Sequence, residues 1–259
     1  MSHDQPKLLG SAVERAKRLD KIRDAHVAPL TEFVDQLRSD TGRGRDIPYF
    51  DPWDAGVSAE VLFLLEAPGA KAVQSGFVSR DNPDETAKNF LTISSDAGLC
   101  RETAVTWNAV PWFIGKDSRI RAATAKDLRD GLSYLSPLLN LLPNLRAVVF
   151  VGRKAERARA QIVELLPELL LLTCPHPSHV FTNRADGNKG RIQTALEEVA
   201  SFLAESRLER FGYNSTDQVE FIKTPSQPDL QVTLDAIDRQ FGEGLISVAE
   251  RLSLKRKVI

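Results

Sequence analysis

The sequence is poor in sulfur. Its 259 residues hold two cysteines, Cys100 and Cys174, and one methionine. Two thiols exclude a disulfide framework. They also fall short of the four thiolates that usually hold a cubane iron–sulfur cluster. Long apolar runs are absent too: nothing approaches the roughly eighteen uninterrupted apolar residues of a membrane span. The opening stretch MSHDQPKLLGSAVERAKRLD has no apolar segment, so no secretory signal is read there. A cytoplasmic setting is the expectation. Charge of one sign is missing as well. There are 34 basic and 35 acidic residues, net -1, so bulk electrostatics does not mark a nucleic-acid protein, although a local basic face still could. Hydrophobic residues make up 42% of the chain, too many for a wholly disordered one. The length suffices to bury a core without staples.

Four short apolar runs stand out: Val61–Leu65, Ala104–Trp107, Ala147–Val151 and Leu169–Thr173. The first three are continuous and rich in β-formers, as in strands buried on both faces. The fourth is leucine-rich but bracketed by Pro167 and Pro175, and is read as a strand as well. Helical periodicity fills the gaps, near 84–97, 124–141, 153–166 and 188–207, and Thr124 with Asp127 is a capping signal. Residues 8–40 read as helix, broken at Pro29. Strand alternating with helix predicts an α/β protein, three-layered α/β/α, around a four-stranded parallel sheet. The expected organisation is an N-terminal helical segment and loop over 1–57, the α/β/α domain over 58–207, and a C-terminal appendage of unknown role over 208–259, which ends in the basic cluster Lys255-Arg256-Lys257.

Open parallel sheets bind ligands beyond the carboxyl ends of their strands. The residues that follow the four runs are Glu66-Ala67-Pro68-Gly69, then Asn108 with Ala109-Val110-Pro111-Trp112, then Gly152-Arg153-Lys154, then Pro175-His176-Pro177-Ser178-His179. The topology would bring a carboxylate, a carboxamide, a glycine-basic turn and an imidazole to one edge. Between 152 and 194 there are seven basic and four acidic residues, a positive stretch inside a nearly neutral chain. Cys174, His176 and His179 raise the question of zinc. The prolines prevent a helical pair of histidines and no fourth ligand is evident, so no metal is expected.

These segments resemble the uracil-DNA glycosylase superfamily over about residues 58–205. Leu65-Glu66-Ala67-Pro68-Gly69 looks like its first motif in the variant carrying glutamate, and His176-Pro177-Ser178 like its late histidine motif. Gly76-Phe77-Val78 is similar to its base-stacking segment, and Asn108 stands in the place of its uracil-reading asparagine. The resemblance implies a uracil-DNA glycosylase-like fold. It implies a DNA repair enzyme that flips out uracil and hydrolyses the N-glycosidic bond, leaving an abasic site. Its partner would be uracil-containing DNA, with no membrane, no iron–sulfur cluster and no cofactor. No nucleophilic lysine stands in the pocket motifs, so it would be monofunctional.

Each residue has chemistry suited to that role. Glu66 could orient or deprotonate a water and stabilise an oxocarbenium-like state. His176 could donate a hydrogen bond to uracil O2 as charge grows on the leaving base. The Asn108 amide offers a donor and an acceptor together, which suits uracil O4 and N3–H and mismatches cytosine. Phe77 could stack on an extruded base, and Asn89 is a second pocket candidate. Pro68, Gly69, Gly152, Arg153, Lys154, Ser178, Arg184, Lys189 and Arg191 are candidate DNA contacts, and Val180 and Phe181 could wedge into the stack. Trp107 is expected in the core. Three rivals remain: a glycosylase for another deaminated or mismatched base, a non-catalytic nucleic-acid-binding protein of the same fold, and a hydrolase of free nucleosides.

Overall fold

The computed structural model describes residues 5–117, 119–185 and 187–210, with side chains as far as 205. Among these, the strands in chain order are β1 (Tyr49–Phe50), β2 (Val61–Leu65), β3 (Phe77–Val78), β4 (Ala104–Asn108), β5 (Gly115–Lys116), β6 (Arg119–Ile120), β7 (Ala147–Val151) and β8 (Leu170–Cys174). The helices are α1 (Ala12–Leu19), α2 (Ala28–Thr41), α3 (Ala70–Ser75), α4 (Glu85–Asp96), α5 (Ala125–Leu132), α6 (Leu135–Asn140), α7 (Arg159–Leu165), α8 (His179–Thr182) and α9 (Asn188–Arg210). Residues up to Leu196 belong to one compact unit, and a second begins at Glu197, of which only the end of α9 is described. The appendage expected from 208 lies, beyond Arg210, outside the described residues.

The four apolar runs form one parallel sheet in the order β4-β2-β7-β8. Alternation along β2 shows why both its faces must be covered. Leu62 and Leu64 join Val34 and Leu37 of α2, Val105 and Trp107 of β4, Leu138 of α6 and Ile162 of α7 in one apolar cluster. Phe63 points the other way and meets Phe90 of α4 edge-on at 4.9 Å. The result is three layers, helix on sheet on helix. Trp107 is core, stacked on Phe50 of β1 with ring centroids 4.0 Å apart.

Several boundaries differ from the sequence reading. The first helical run is a 3-10 turn (Leu8–Gly10) followed by α1 and α2. Pro29 sits in the first turn of α2 and so starts a helix instead of breaking one, because its missing N–H is not needed there. The run 124–141 divides into α5 and α6, and 153–166 into a 3-10 turn (Ala155–Ala158) and α7. Thr124 and Asp127 form a complete capping box on α5.

Three arginines and three aspartates form a buried network that the sequence reading missed. Arg18 of α1 bonds Asp51 at 3.0 Å, and also Asp81. Arg101 reaches Asp54 at 2.9 Å and Asp81 at 2.8 Å, and Arg80 reaches Asp54 at 3.2 Å. All six are at most 4% exposed. Burial by itself would raise the Asp51 carboxyl, but Arg101 and Arg18 outweigh it and hold it below the usual range. Burial pushes Asp81 up to about 6. Matching charges make the network tolerable where a lone charge would cost several kcal/mol, of order 3–5 on loss of one partner.

Candidate active site

Strand register builds the site. Leu65 lies opposite Asn108, Leu64 opposite Phe150, and Val151 opposite Cys174. The residues just beyond therefore leave the sheet at one edge. The chain runs from β2 outward to β4, and from β7 outward to β8, so the strand order reverses between β2 and β7. That is where an open parallel sheet carries its crevice.

Glu66 follows β2. Its Oε1 accepts a hydrogen bond from the Ala123 N–H at 2.5 Å, and its second oxygen has no partner among the described residues. Lys154, beyond β7, donates to the Ala123 carbonyl at 2.7 Å. The peptide groups on both sides of Ala123 thus tie the carboxylate of one strand end to the ammonium of the other. The Ala109 and Val110 N–H groups bond the Leu65 and Glu66 carbonyls at 2.8 and 2.9 Å, which clamps the loop after Asn108 onto the Glu66 turn.

Asn108 is 3% exposed, and its Nδ2 is buried without a partner. A buried amide left unmet costs about 1–3 kcal/mol. α5 packs hard against this loop. A Cβ on Gly131 would lie 2.3 Å from the Ala109 carbonyl oxygen and 2.9 Å from the Val110 Cα. Gly131→Ala is expected to displace the loop, lowering stability by about 1–3 kcal/mol. Thermal unfolding checks this; a wild-type melting temperature would show that the loop yields freely.

His176 leaves β8 through Pro175 and is half-buried. Gly152 passes beneath it in the left-handed region (φ 92°), where a Cβ would come 3.4 Å from the His176 Cβ. Burial lowers the imidazole's pKa, with Glu66 and Asp84 partly opposing. The folded protein therefore favours neutral histidine. The unfolded chain takes up the proton first, so His176 makes the fold less stable as pH drops below about 6.5, the ordinary histidine value. Denaturant titrations across pH, compared with His176→Ala, test this; the same pH dependence in both proteins would remove His176 from the linkage.

Asn89 of α4 does not face Asn108 through any bond described. Its Nδ2 donates to the Pro177 carbonyl and to Thr182 Oγ1, both at 3.2 Å, so it holds the histidine loop. Ser178 caps α8, accepting from the Phe181 N–H. Phe77 is fully buried in β3, paired with Tyr49, and Pro68 is buried while Gly69 opens onto free space at the N-cap of α3. Arg153, Arg184 and Arg191 are exposed, and Lys189 pairs with Asp96 at 3.4 Å. Val180 is 72% exposed, beside the histidine loop. Trp112 packs under the Arg43 guanidinium, 4.5 Å from its ring centroid. Cys174 is buried and its thiol is pushed up to about 12 by desolvation, whereas Cys100 is exposed. Among the described residues no group of three or more His, Cys, Asp or Glu is placed to hold a metal ion, and no helix is long and apolar enough to cross a membrane.

The sequence reading missed Ala123, Lys154 as its partner, Gly131 and Asp84. Ala123 offers only backbone, which composition cannot flag. Gly131 falls in the middle of the 124–141 run read as helix, where glycine costs about 1 kcal/mol against alanine and so signals a close approach; in the structure it lies in the last turn of α5.

Fold and site together define an α/β protein whose carboxylate, unpaired amide and neutral imidazole converge at the carboxyl edge of a parallel sheet. Residues 53–200 match the family described as the uracil DNA glycosylase superfamily, and the chain belongs to it. Among solved structures, a solution NMR structure of a candidate uracil DNA glycosylase from Methanosarcina acetivorans is 15% identical. It covers 55% of this chain and 91% of its own, with a TM-score of 0.39. No curated protein matches.

Proposed function

We propose that the protein is a monofunctional uracil-DNA glycosylase. It takes uracil out of DNA, hydrolyses the N-glycosidic bond and leaves an abasic site. The observation that carries this reading is the buried, unpartnered Asn108 Nδ2 at the same sheet edge as Glu66 and His176. An amide held in a dry pocket pairs with uracil O4 and N3–H and leaves cytosine mismatched. Neutral His176 donates to uracil O2 as the base departs with its electrons. Glu66, steered by the Ala123 N–H, keeps one oxygen free to orient a water toward C1′ and to offset the sugar's developing positive charge. Water supplies the hydroxyl that replaces the base, and the free base takes up a proton. Gly69, Gly152, Arg153, Ser178, Arg184 and Arg191 flank this edge as DNA contacts, Asn89 braces the histidine loop, and Val180 enters the gap left by the base; Phe77, expected to stack on the base, is fully buried and offers it no ring face. No cofactor takes part. The protein works in the cytoplasm.

The test is an assay on labelled oligonucleotides with one uracil opposite guanine, opposite adenine, or unpaired. The expected result is strand scission only after alkali. Scission without alkali would contradict the monofunctional reading. Tight binding without product would favour a non-catalytic reader. Product from hypoxanthine- or thymine-mismatch DNA alone would reassign the substrate.

A further inference from the structure

Beyond Trp112 the chain makes a small hairpin, β5-β6, that no motif of the family reading used. It walls a groove of about 480 Å³ in which four lining residues are cationic, Arg43, Lys116, Arg119 and Arg121, against one acid, Asp127. Asp127 is already engaged by Arg121, at 2.6 Å, and by the Thr124 cap. Lys116 and Arg119 stand directly opposite each other in the hairpin register, and no carboxylate meets either among the described residues. Like charges facing across a strand pair are destabilising unless something negative sits between them. Arg43 lies over the Trp112 ring, and among the described residues no carboxylate pairs with it.

The hairpin is firmly placed. A Cβ on Gly115 would strike the Arg119 carbonyl at 2.1 Å and the Phe113 ring at 2.4 Å, so the two strands and the aromatic are in tight contact. The Phe113 N–H bonds the Asp46 carbonyl at 2.9 Å. Three residues past β6, Ala123 is the anchor of Glu66 and Lys154. The cations are therefore held on the short segment that joins Asn108 to the Glu66 latch, beside the crevice.

The geometry points to this groove as a cationic site that binds a phosphodiester of the DNA strand flanking the extruded base through Lys116, Arg119 and Arg43. Ile120, between Arg119 and Arg121 on the same hairpin, is exposed. The inference rests on the reading that the crevice receives DNA, and it adds where the strand runs after leaving it.

The experiment uses the full chain and a fluorescent single-stranded 20-mer without uracil, so that binding is read apart from excision. Lys116→Glu/Arg119→Glu is expected to weaken binding about tenfold or more at moderate salt. It should also flatten the slope of log affinity against log salt by about 1.4, two contacts at about 0.7 each for a single strand. Lys17→Glu/Lys21→Glu on and after α1, with the same charge change, should bind as wild type does. Equal loss in both variants would reduce the effect to bulk charge and overturn the proposal, as would wild-type binding and slope in the hairpin variant. Inorganic phosphate at matched ionic strength should not displace the 20-mer; displacement by it would reassign the groove to a small free anion. The uracil assay on wild type is read separately. Excision with an unaffected hairpin variant sinks only the groove. Hairpin-dependent binding without excision sinks only the glycosylase reading.

Discussion

His176→Ala protein should excise uracil at a hundredth of the wild-type rate or less while still binding uracil-containing DNA. One aligned donor at a developing oxyanion in a water-poor pocket is worth about 2.7–4 kcal/mol, or 10²–10³ in rate. The loss should fall on kcat more than on the half-saturating DNA concentration, because the hydrogen bond strengthens as charge grows on the base. Glu66→Gln should show a similar fall for a different reason. The amide can still meet the Ala123 N–H through its oxygen, so the turn is kept, but its other end is now a donor and cannot accept from a water. Glu66→Ala would lose the latch as well and should in addition melt at lower temperature. Single-turnover excision with DNA bound to saturation, followed by thermal unfolding, separates the chemistry from the fold. Wild-type rates in His176→Ala would remove the imidazole from the reaction.

The second large effect is on base choice. Asn108→Ala should lower excision of uracil by 10² or more, since it removes both hydrogen bonds to the base from a closed pocket. Asn108→Asp is the sharper probe. An ionised carboxylate only accepts, so it repels uracil O4 but can take a hydrogen bond from the cytosine amino group. The ratio of uracil to cytosine excision should collapse, and what activity survives should shift toward cytosine. The comparison needs oligonucleotides identical except at the one base, with abasic product measured for each. A ratio as high as wild type in Asn108→Asp would mean that another group reads the base.

How much of this was legible in the sequence depended on which atoms carried the structure. Val61–Leu65 and Ala147–Val151 announced themselves because strands covered on both faces have no polar positions. From these, the two further runs and the helices between them, topology alone places the residues after each strand, Glu66 and His176 among them, at one edge of the sheet. β1 and β3 were invisible: two residues each carry no period. The β5-β6 hairpin lacked the usual glycine or asparagine turn signal, and its turn places Asp117 at φ 54° instead. The contact at Ala123 is made by peptide groups, so no side chain could advertise it. Arg18, Asp51, Asp54 and Asp81 carry no signal in the sequence, since burial of a charge shows only once its partners, tens of residues away, are brought to it.

That ionic network bears on where the protein can be cut. The family match opens at Trp53, which invites a shortened chain starting there. Such a chain would lack the Arg18 guanidinium that lies 3.6 Å over the Trp53 ring and bonds Asp81. It would also lose Val27, Leu30, Val34 and Leu37, which close one face of the sheet. Asp81 would keep only Arg101, and Phe50 would no longer cover Trp107. The start of the family match and the start of the packed chain are thus different places in this polypeptide: Leu9, already buried, precedes Trp53 by 44 residues (53 minus 9).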